Sequence, residues 1–234
     1  WGLGRMLEPA EILGHLRLAL AQGGPLAGRH IVVSAGGTQE PLDPVRYITN
    51  RSSGKQGFAL AQAALDLGAR VSLVVGATAA ALPTPTGAER SDVESAAQMA
   101  EAVLALSREA DVLLMAAAVA DFRPRAVRVH KIKKEALPQI ELEHTQDILQ
   151  AVAEQRRRAG RPAVVVGFAA ESEKLLENAQ EKLRRKNLSM VVANDISAPD
   201  AGFAVDTNRV TLLLADGRVE ALPLMTKSEV AESI

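Results

Sequence analysis

The chain has no cysteine among its 234 residues. Disulfide bonds, thiolate metal sites and a cysteine nucleophile are therefore excluded within this chain. Aromatic side chains make up only 3% of the residues against a hydrophobic fraction of 47%, so alanine, leucine and valine must fill the core. This length suits one α/β domain with a short appendage.

Several other features are also missing. The 27 basic and 28 acidic side chains nearly cancel, which argues against nucleic acid as a partner. The four histidines form no HExxH motif or close pair, which disfavours a metal held by histidine. No apolar run approaches the roughly twenty residues of a membrane span, and no secretory signal pattern occurs. We therefore expect a cytoplasmic protein with no membrane partner.

Short aliphatic runs alternate with amphipathic segments along most of the chain, which predicts a mainly parallel sheet with helices on both faces. Two apolar runs around Asp216 and Gly217 predict an antiparallel hairpin over 209–224, followed by a helix starting near Thr226. The other predicted strands are 30–35, 70–75, 111–117, 163–168 and 189–193, and the other predicted helices are 57–67, 93–108, 147–159 and 172–187.

Two segments depart from this alternation. Residues 1–27 combine a helix that starts near Pro9 with a glycine-proline breaker, and we interpret them as a remnant and linker from an upstream domain. Because the chain starts with Trp1 and not with methionine, we expect it to be part of a longer protein. Residues 121–143 carry the cationic sequence HKIKK without a helical pattern, and such long connections are usually functional or mobile.

The most informative stretch is 34–57, SAGGTQEPLDPVRYITNRSSGKQG, which links a buried strand to an amphipathic helix. In open α/β sheets such a loop lies at the carboxyl end of a strand, where the N–H groups of the next helix attract anions. We therefore expect a phosphorylated or nucleotide ligand. The stretch is not a P-loop, because Thr49 and Gln56 replace the required Gly and Ser or Thr. Tyr47 is followed by Arg51 where short-chain reductases have lysine, which disfavours a nicotinamide cofactor.

The same stretch and the loop after the third predicted strand contain candidate site residues. Arg46 can grip a carboxylate or phosphate, and the amide of Asn50 can donate to an acyl oxygen as charge develops there. The ordinary structural alternative is that Asn50 caps a turn and Arg46 forms a salt bridge. Asp121, in AAAVADFRP, is positioned for a metal or a base amino group, or else caps a helix.

Three further features fit a nucleotide. The lysines of HKIKK, Lys131, Lys133 and Lys134, could neutralise charge that develops on departing pyrophosphate. Phe168 follows a predicted strand and could stack on a base or belong to the core. The stripe of Lys182, Arg185 and Lys186 has the spacing of an ordinary solvated helix face.

Five ordered motifs resemble the phosphopantothenate–cysteine ligase domain of the bifunctional coenzyme A biosynthesis protein. These are the 34–57 stretch, AAAVADFRP, KIKK, GFAAES and KNLSMVVAND, and the resemblance covers about residues 28–234. It implies a Rossmann-like three-layer domain that joins 4'-phosphopantothenate to L-cysteine through an acyl-cytidylate, using CTP with Mg²⁺. Residues 4–9, GRMLEP, resemble the end of a preceding decarboxylase domain, so neither decarboxylation nor FMN is expected of this fragment.

The resemblance also implies roles for individual residues. Asn50 matches the asparagine that handles the acyl-cytidylate, Arg46 lies beside it, and Lys131 is expected to act on the triphosphate. Asp121 is in addition the candidate metal ligand, mostly through the phosphates. The implied CTP-binding positions are Met115, Ala116, Ala117, Asp121, Lys131, Gln146, Asp147, Ile148, Leu149, Phe168, Lys182 and Lys186.

Two departures from the family pattern stand out. Gln146 replaces a frequent proline, and AGGT replaces AGPT in the first turn. Neither change removes a group that the chemistry needs. A homodimer is expected, because the family builds its pantothenate site across a dimer interface. Two alternatives remain: a nicotinamide-dependent reductase and a non-catalytic nucleotide-binding module.

Overall fold

The computed structural model describes residues 4, 6–133, 139–171, 173–195 and 205–234. Lys134 of the cationic sequence lies outside these residues. The helices of the described part are α1 (Pro9–Leu20), α2 (Lys55–Asp66), α3 (Ala96–Ser107), α4 (Ile148–Ala159), α5 (Leu175–Arg185) and α6 (Lys227–Ser233). Its strands are β1 (His30–Ala35), β2 (Gln39–Pro41), β3 (Tyr47–Thr49), β4 (Arg70–Gly76), β5 (Ala88–Val93), β6 (Val112–Met115), β7 (Phe122–Pro124), β8 (Leu142–His144), β9 (Val164–Glu171), β10 (Met190–Asp195), β11 (Thr207–Asn208), β12 (Val210–Leu214), β13 (Val219–Ala221) and β14 (Met225–Thr226).

A central sheet organises the molecule. Over the described ranges it has eight strands in the order β13-β12-β10-β9-β6-β1-β4-β5. The strands from β10 to β5 pair in parallel, whereas β12 and β13 pair antiparallel at one edge. The predicted α/β fold with a C-terminal antiparallel hairpin is confirmed. None of the helices in the described part has the length and apolar character needed to cross a bilayer.

Helices cover both faces of this sheet because its inner strands are apolar on both sides. Strand β1 is buried along its whole length. One core cluster joins the sheet to α2 and α6, and a second joins the opposite face to α3, α4 and α5. Helix α1 packs on α2 from outside, where Arg17 forms an ion pair with Asp66.

Capping side chains determine where two helices begin. The hydroxyl of Ser95 accepts a hydrogen bond from the N–H of Gln98, so α3 starts at Ala96 and not at 93 as predicted. Asp147 likewise caps α4 by accepting from the N–H of Gln150. Residues 88–93 form β5, a strand that the sequence did not predict. Its side chains are mostly polar and partly exposed, because it forms an edge of the sheet.

Two small antiparallel hairpins form a projection that we call the arm. It consists of the β2–β3 hairpin, the β7–β8 hairpin and the described residues between β7 and β8, and strands β2 and β7 pack against each other. Residues 121–143, for which the sequence predicted no strand or helix, begin and end in strands, because Phe122 pairs with His144 and Pro124 with Leu142. These strands have only three residues each, too few to show a clear alternation.

Candidate active site

A cleft of about 780 Å³ opens at the carboxyl ends of β6 and β9, next to that of β1. The register aligns these ends, since Ser34 lies opposite Met115 and Met115 opposite Gly167. After β1 the chain adds β4 and β5 on one side and then crosses to β6 on the other. The cleft therefore lies at the topological switch point, where open α/β sheets bind ligands. The predicted residues that line it are Asn50, Met115, Ala116, Ala117, Asp121, Gln146, Asp147, Ile148, Leu149, Phe168, Lys182 and Lys186.

The floor of the cleft is the alanine-rich segment after β6. Buried hydroxyls at the end of β1 hold its backbone: Ser34 accepts from the N–H of Ala117 at 3.1 Å, and Thr38 accepts from the N–H of Ala120 at 3.0 Å. The N–H of Ala118 donates to the carbonyl of Gly36 at 2.8 Å. Because the side chains here are small and the backbone is fixed, a ligand can approach the main chain closely.

Asn50 and Asp121 lie at the rim of this floor. The Asn50 amide donates to the carbonyl of Val119 at 3.0 Å, which ties the loop before α2 to the floor. The carbonyl of Asp121 accepts from the N–H of Thr145 at 3.0 Å. This bond brings the segment that enters α4, including Gln146, to the same rim.

The wall formed by α5 is cationic and already ordered. Lys186 is buried and forms an ion pair with Asp147, the residue that caps α4. Burial alone would raise the pKa of Asp147, but the hydrogen bond from Lys186 and the capped N–H of Gln150 lower it below its ordinary value. Lys182 donates to the carbonyl of Phe168 at 2.5 Å. The stripe on α5 thus faces the cleft, where its cations can receive phosphate oxygens.

A smaller pocket of about 70 Å³ adjoins the cleft at the N-terminus of α2. Phe168 lines both pockets, and it is half-buried against the core cluster that includes α2. Ser52, Ser53 and Lys55 contribute from the loop before α2 and from its first turn, and Lys227 contributes from the start of α6. The hydroxyls, the N–H groups at the start of α2 and the ammonium groups, of which that of Lys55 is paired with Asp206, together favour an anion here.

The sequence did not point to the C-terminal residues of this smaller pocket. Lys227 and Asn208 reach it because Gln56 bridges them, donating to the carbonyl of Lys227 and accepting from the amide of Asn208, both at 3.0 Å. Burial, and next the charge of Lys55, lower the pKa of Lys227 below its ordinary value. No local pattern could have indicated a contact between segments so far apart in the chain.

Arg46 and Lys131 do not line the cleft. Arg46 forms an ion pair with Asp43 at 3.4 Å, and its guanidinium donates to the carbonyl of Ile132 at 3.2 Å. Both residues lie in the arm, so their catalytic roles stay predictions. The salt bridge that the sequence offered as the ordinary structural role of Arg46 is present, with Asp43.

Protein ligands for a metal are sparse. No group of three or more His, Asp or Glu side chains suited to a metal occurs in the described part of the chain. At the cleft, the Asp147 carboxylate is engaged by Lys186 and that of Glu181 by Arg185, and Asp121 is the carboxylate on the floor side. This set fits a Mg²⁺ ion that is bound mainly by phosphate oxygens and waters and is not held in a protein cage.

Fold and cleft together define a class: a Rossmann-like three-layer α/β domain with a cationic cleft at its switch point, suited to a phosphorylated ligand. Within that class, the chain belongs to the family described as the DNA/pantothenate metabolism flavoprotein C-terminal domain, whose model matches residues 26–234. The resemblance inferred from the five motifs is confirmed at the level of the family.

Individual relatives agree with this family. The chain is 45% identical over 237 residues to the coenzyme A biosynthesis bifunctional protein CoaBC of Bacillus subtilis, covering 100% of this chain and 57% of that protein. It is 44% identical to the protein of the same name from Vibrio cholerae, with the same coverage. A crystal structure of the C-terminal domain of CoaBC matches with a TM-score of 0.74 and 44% identity, covering 89% of this chain and 92% of that one. The chain thus spans a little over half the length of these two curated relatives.

Proposed function

We propose that this chain ligates 4'-phosphopantothenate to L-cysteine at the expense of CTP, as a step of coenzyme A biosynthesis. One observation carries the proposal: a single cleft at the switch point brings together all the predicted nucleotide-binding residues except Lys131. The names of the similar proteins, which are coenzyme A biosynthesis enzymes, support the same pathway.

In the first step a carboxylate oxygen of 4'-phosphopantothenate attacks the α-phosphorus of CTP, and pyrophosphate leaves. Lys182 and Lys186 attract the triphosphate to the α5 wall, and the ion pair of Lys186 with Asp147 holds that cation in position before the nucleotide arrives. Preorganised cations of this kind stabilise charge as it develops on the leaving group. Mg²⁺, bound through the phosphates and next to Asp121, would supply additional charge neutralisation.

The smaller pocket fits the phosphate of the second substrate. It lies next to the nucleotide cleft and shares Phe168 with it. Ser52, Lys55 and Lys227 surround it and can bind a dianion. A substrate held there by its phosphate extends its carboxylate toward the cleft, because the two pockets adjoin.

In the second step the amine of cysteine attacks the acyl carbon and CMP leaves. Asn50 lies at the rim of the cleft, where the activated acyl group would lie. Its amide cannot accept a proton at neutral pH, so its role is to position the acyl group and to donate to the carbonyl oxygen.

We also propose a homodimer that forms through the arm. Several exposed apolar side chains lie there, as they do on surfaces that another protein covers. The exposed apolar residues of the arm are Val45, Tyr47, Phe122, Val127, Val129, Ile140 and Leu142.

Release of pyrophosphate tests the ligase proposal. The purified chain is incubated with Mg²⁺, 4'-phosphopantothenate and CTP, ATP, GTP or UTP in turn, and pyrophosphate is measured before and after L-cysteine is added. Release with CTP that depends on 4'-phosphopantothenate, followed by amide formation, supports the proposal. Binding of CTP without any turnover would support a non-catalytic nucleotide-binding module, and turnover that requires a nicotinamide would support a reductase.

A further inference from the structure

Asp43 and Arg46 hold one residue of the cationic segment by both of its backbone groups. The carboxylate of Asp43 accepts from the N–H of Ile132 at 3.1 Å, and the guanidinium of Arg46 donates to the carbonyl of Ile132 at 3.2 Å. Ile132 lies between Lys131 and Lys133. Asp43 and Arg46 therefore fix the backbone from which both lysine side chains extend.

The carboxylate of Asp43 is well suited to such a role. Its side chain is fully buried, and its other oxygen accepts from the N–H groups of Val45 and Arg46 at 2.8 and 2.9 Å. Burial by itself would raise the pKa of Asp43, but hydrogen bonds from Ile132, Val45 and Arg46 lower it, so the group is ionised at neutral pH. Of the three hydrogen bonds described, only that from Ile132 comes from a distant part of the chain, and an ionised acceptor strengthens it.

A second contact runs beside the first. The N–H of Arg128 donates to the carbonyl of Leu42 at 2.9 Å, so the turn between β2 and β3 contacts the 128–132 segment at two places. Beyond these contacts Lys131 and Lys133 are exposed. The 128–132 segment is thus attached to the β2–β3 turn through its main chain, while the side chains of Lys131 and Lys133 are exposed to solvent.

We propose that Asp43 is a positioning residue for Lys131: together with Arg46 it forms a latch that anchors the cationic segment at Ile132. The catalytic consequence rests on the ligase function proposed above. Because Lys131 is predicted to act on charge that appears as pyrophosphate leaves, we expect loss of the anchor to lower the rate of the first step. The affinity for CTP, which depends on the cleft, stays near the parental value.

Limited proteolysis tests the anchor without any assumption about activity. In Asp43→Asn we expect trypsin to cleave after Lys131 about tenfold faster than in the parent, because the charge-assisted bond to Ile132 is lost. Asp216→Asn is the matched control: Asp216 also accepts a backbone N–H in a turn, from Arg218 at 3.0 Å, but it lies in the β12–β13 hairpin. The melting temperature of each variant shows whether the body of the domain stays folded.

A second pair of variants covers the case in which Asp43→Asn does not fold. Ile132→Pro removes the N–H that donates to Asp43, whereas Ile132→Ala removes the side chain and keeps that N–H. We expect faster cleavage after Lys133 in Ile132→Pro than in Ile132→Ala. Unchanged cleavage in both Asp43→Asn and Ile132→Pro would overturn the latch.

A double-mutant cycle tests the catalytic role. In single-turnover pyrophosphate release, we expect Asp43→Asn to reduce the rate about tenfold, with the KM for CTP within about twofold of the parent. In a Lys131→Gln background the same change should have no further effect, because the latch acts through Lys131. Additive effects would contradict a positioning role. If the parent releases no pyrophosphate, the ligase proposal fails, and the proteolysis experiments still decide whether the latch exists.

Discussion

At the scale of single residues, three polar side chains of the cleft are already engaged within the protein. Lys186 is held by Asp147, Lys182 donates to the carbonyl of Phe168, and Asn50 donates to the carbonyl of Val119. Long side chains that are ordered before binding lose less conformational entropy when a ligand arrives. These three side chains are therefore preorganised, as the proposed stabilisation of developing charge requires.

Asn50→Asp separates the two proposed steps. The substitution removes the donor to Val119 and puts a negative charge beside the developing oxyanion, so the second step should fail while the first survives in part. We expect acyl-cytidylate to accumulate from CTP and 4'-phosphopantothenate, as measured by mass spectrometry, with little amide formed after cysteine is added. Asn50→Leu, which removes the donor without adding charge, is the control. If Asn50→Asp consumes the intermediate at the parental rate, Asn50 serves only to hold the loop before α2.

His30 makes stability depend on pH. Its ring is buried and hydrogen-bonds Ser72 at 2.9 Å, and burial, followed by the charge of Arg70, lowers its pKa. At pH values between the lowered pKa and the ordinary value of about 6.5, His30 is more often protonated in the unfolded chain than in the folded one. The free energy of unfolding should therefore fall as pH drops below about 6.5. Melting temperatures at pH 7.5 and 5.5 check this.

His30→Gln is the comparison for that measurement. Glutamine cannot titrate, so the melting temperature of this variant should change less than that of the parent between pH 7.5 and 5.5. Asp111 and Asp147 also have lowered pKa values, but the stability they provide is lost only near and below about pH 4. Equal changes in parent and variant would show that His30 does not cause the loss.

At the scale of elements, the site depends on how closely α2 lies against β1. A Cβ atom added at Gly57 would come within 2.5 Å of the Cβ of Ala35 and 3.0 Å of the carbonyl of Ser34. Gly54 enters the helix with a φ of 73°, in the left-handed region that glycine adopts readily. These two glycines let the N-terminus of α2 approach the end of β1, and this approach creates the smaller pocket beside the cleft.

Gly57→Ala should therefore destabilise the domain, although alanine is the better helix former. We expect a loss of about 1–3 kcal/mol in the free energy of unfolding from overpacking, measured by urea denaturation. Combining it with Ala35→Gly removes the closest contact and should recover part of the loss. If Gly57→Ala is neutral or stabilising, α2 can shift away from β1 and the close approach is not required.

At the scale of the whole molecule, the arm lies outside the hydrogen-bonded central sheet. Its strands belong to separate two-stranded sheets, and short hairpins are marginally stable in isolation. Exposed apolar side chains and the latch at Ile132 occur in the same projection. Covering this surface with a second copy would stabilise the arm and remove the apolar side chains from water.

Val129→Glu tests the proposed dimer. Val129 is 82% exposed and lies in the arm, and Leu20, at the end of α1, is 86% exposed on a different element. A carboxylate buried without a partner at an interface costs several kcal/mol, so Val129→Glu should shift the protein to monomers. Leu20→Glu should leave the mass of the assembly in solution unchanged. Sedimentation equilibrium measures the mass of each variant in solution. If the parent and Val129→Glu have the same mass, Val129 does not lie in a dimer interface.

The sequence by itself determined the order and type of most elements of the central sheet. Buried parallel strands and amphipathic helices have distinct hydrophobic periods, which are local properties that can be read along the chain. It also pointed to the cleft residues that follow β6 and β9, because the carboxyl ends of neighbouring parallel strands meet at one edge of the sheet. The cleft positions 146–149, Lys182 and Lys186 were instead implied by the family resemblance. Strand β5 was not predicted because it is a polar edge strand. The strands of the arm were not predicted because they are too short to show an alternation of apolar and polar residues.

Only the tertiary structure decided which distant groups meet. The contact of Lys227 and Asn208 with the loop before α2, and that of Asp43 with Ile132, join segments whose local sequences carry no sign of each other. The structure also turned the α5 stripe toward the cleft, where spacing alone predicted a solvated face. Such contacts depend on how packed elements are placed against each other, and local periodicity does not encode that placement.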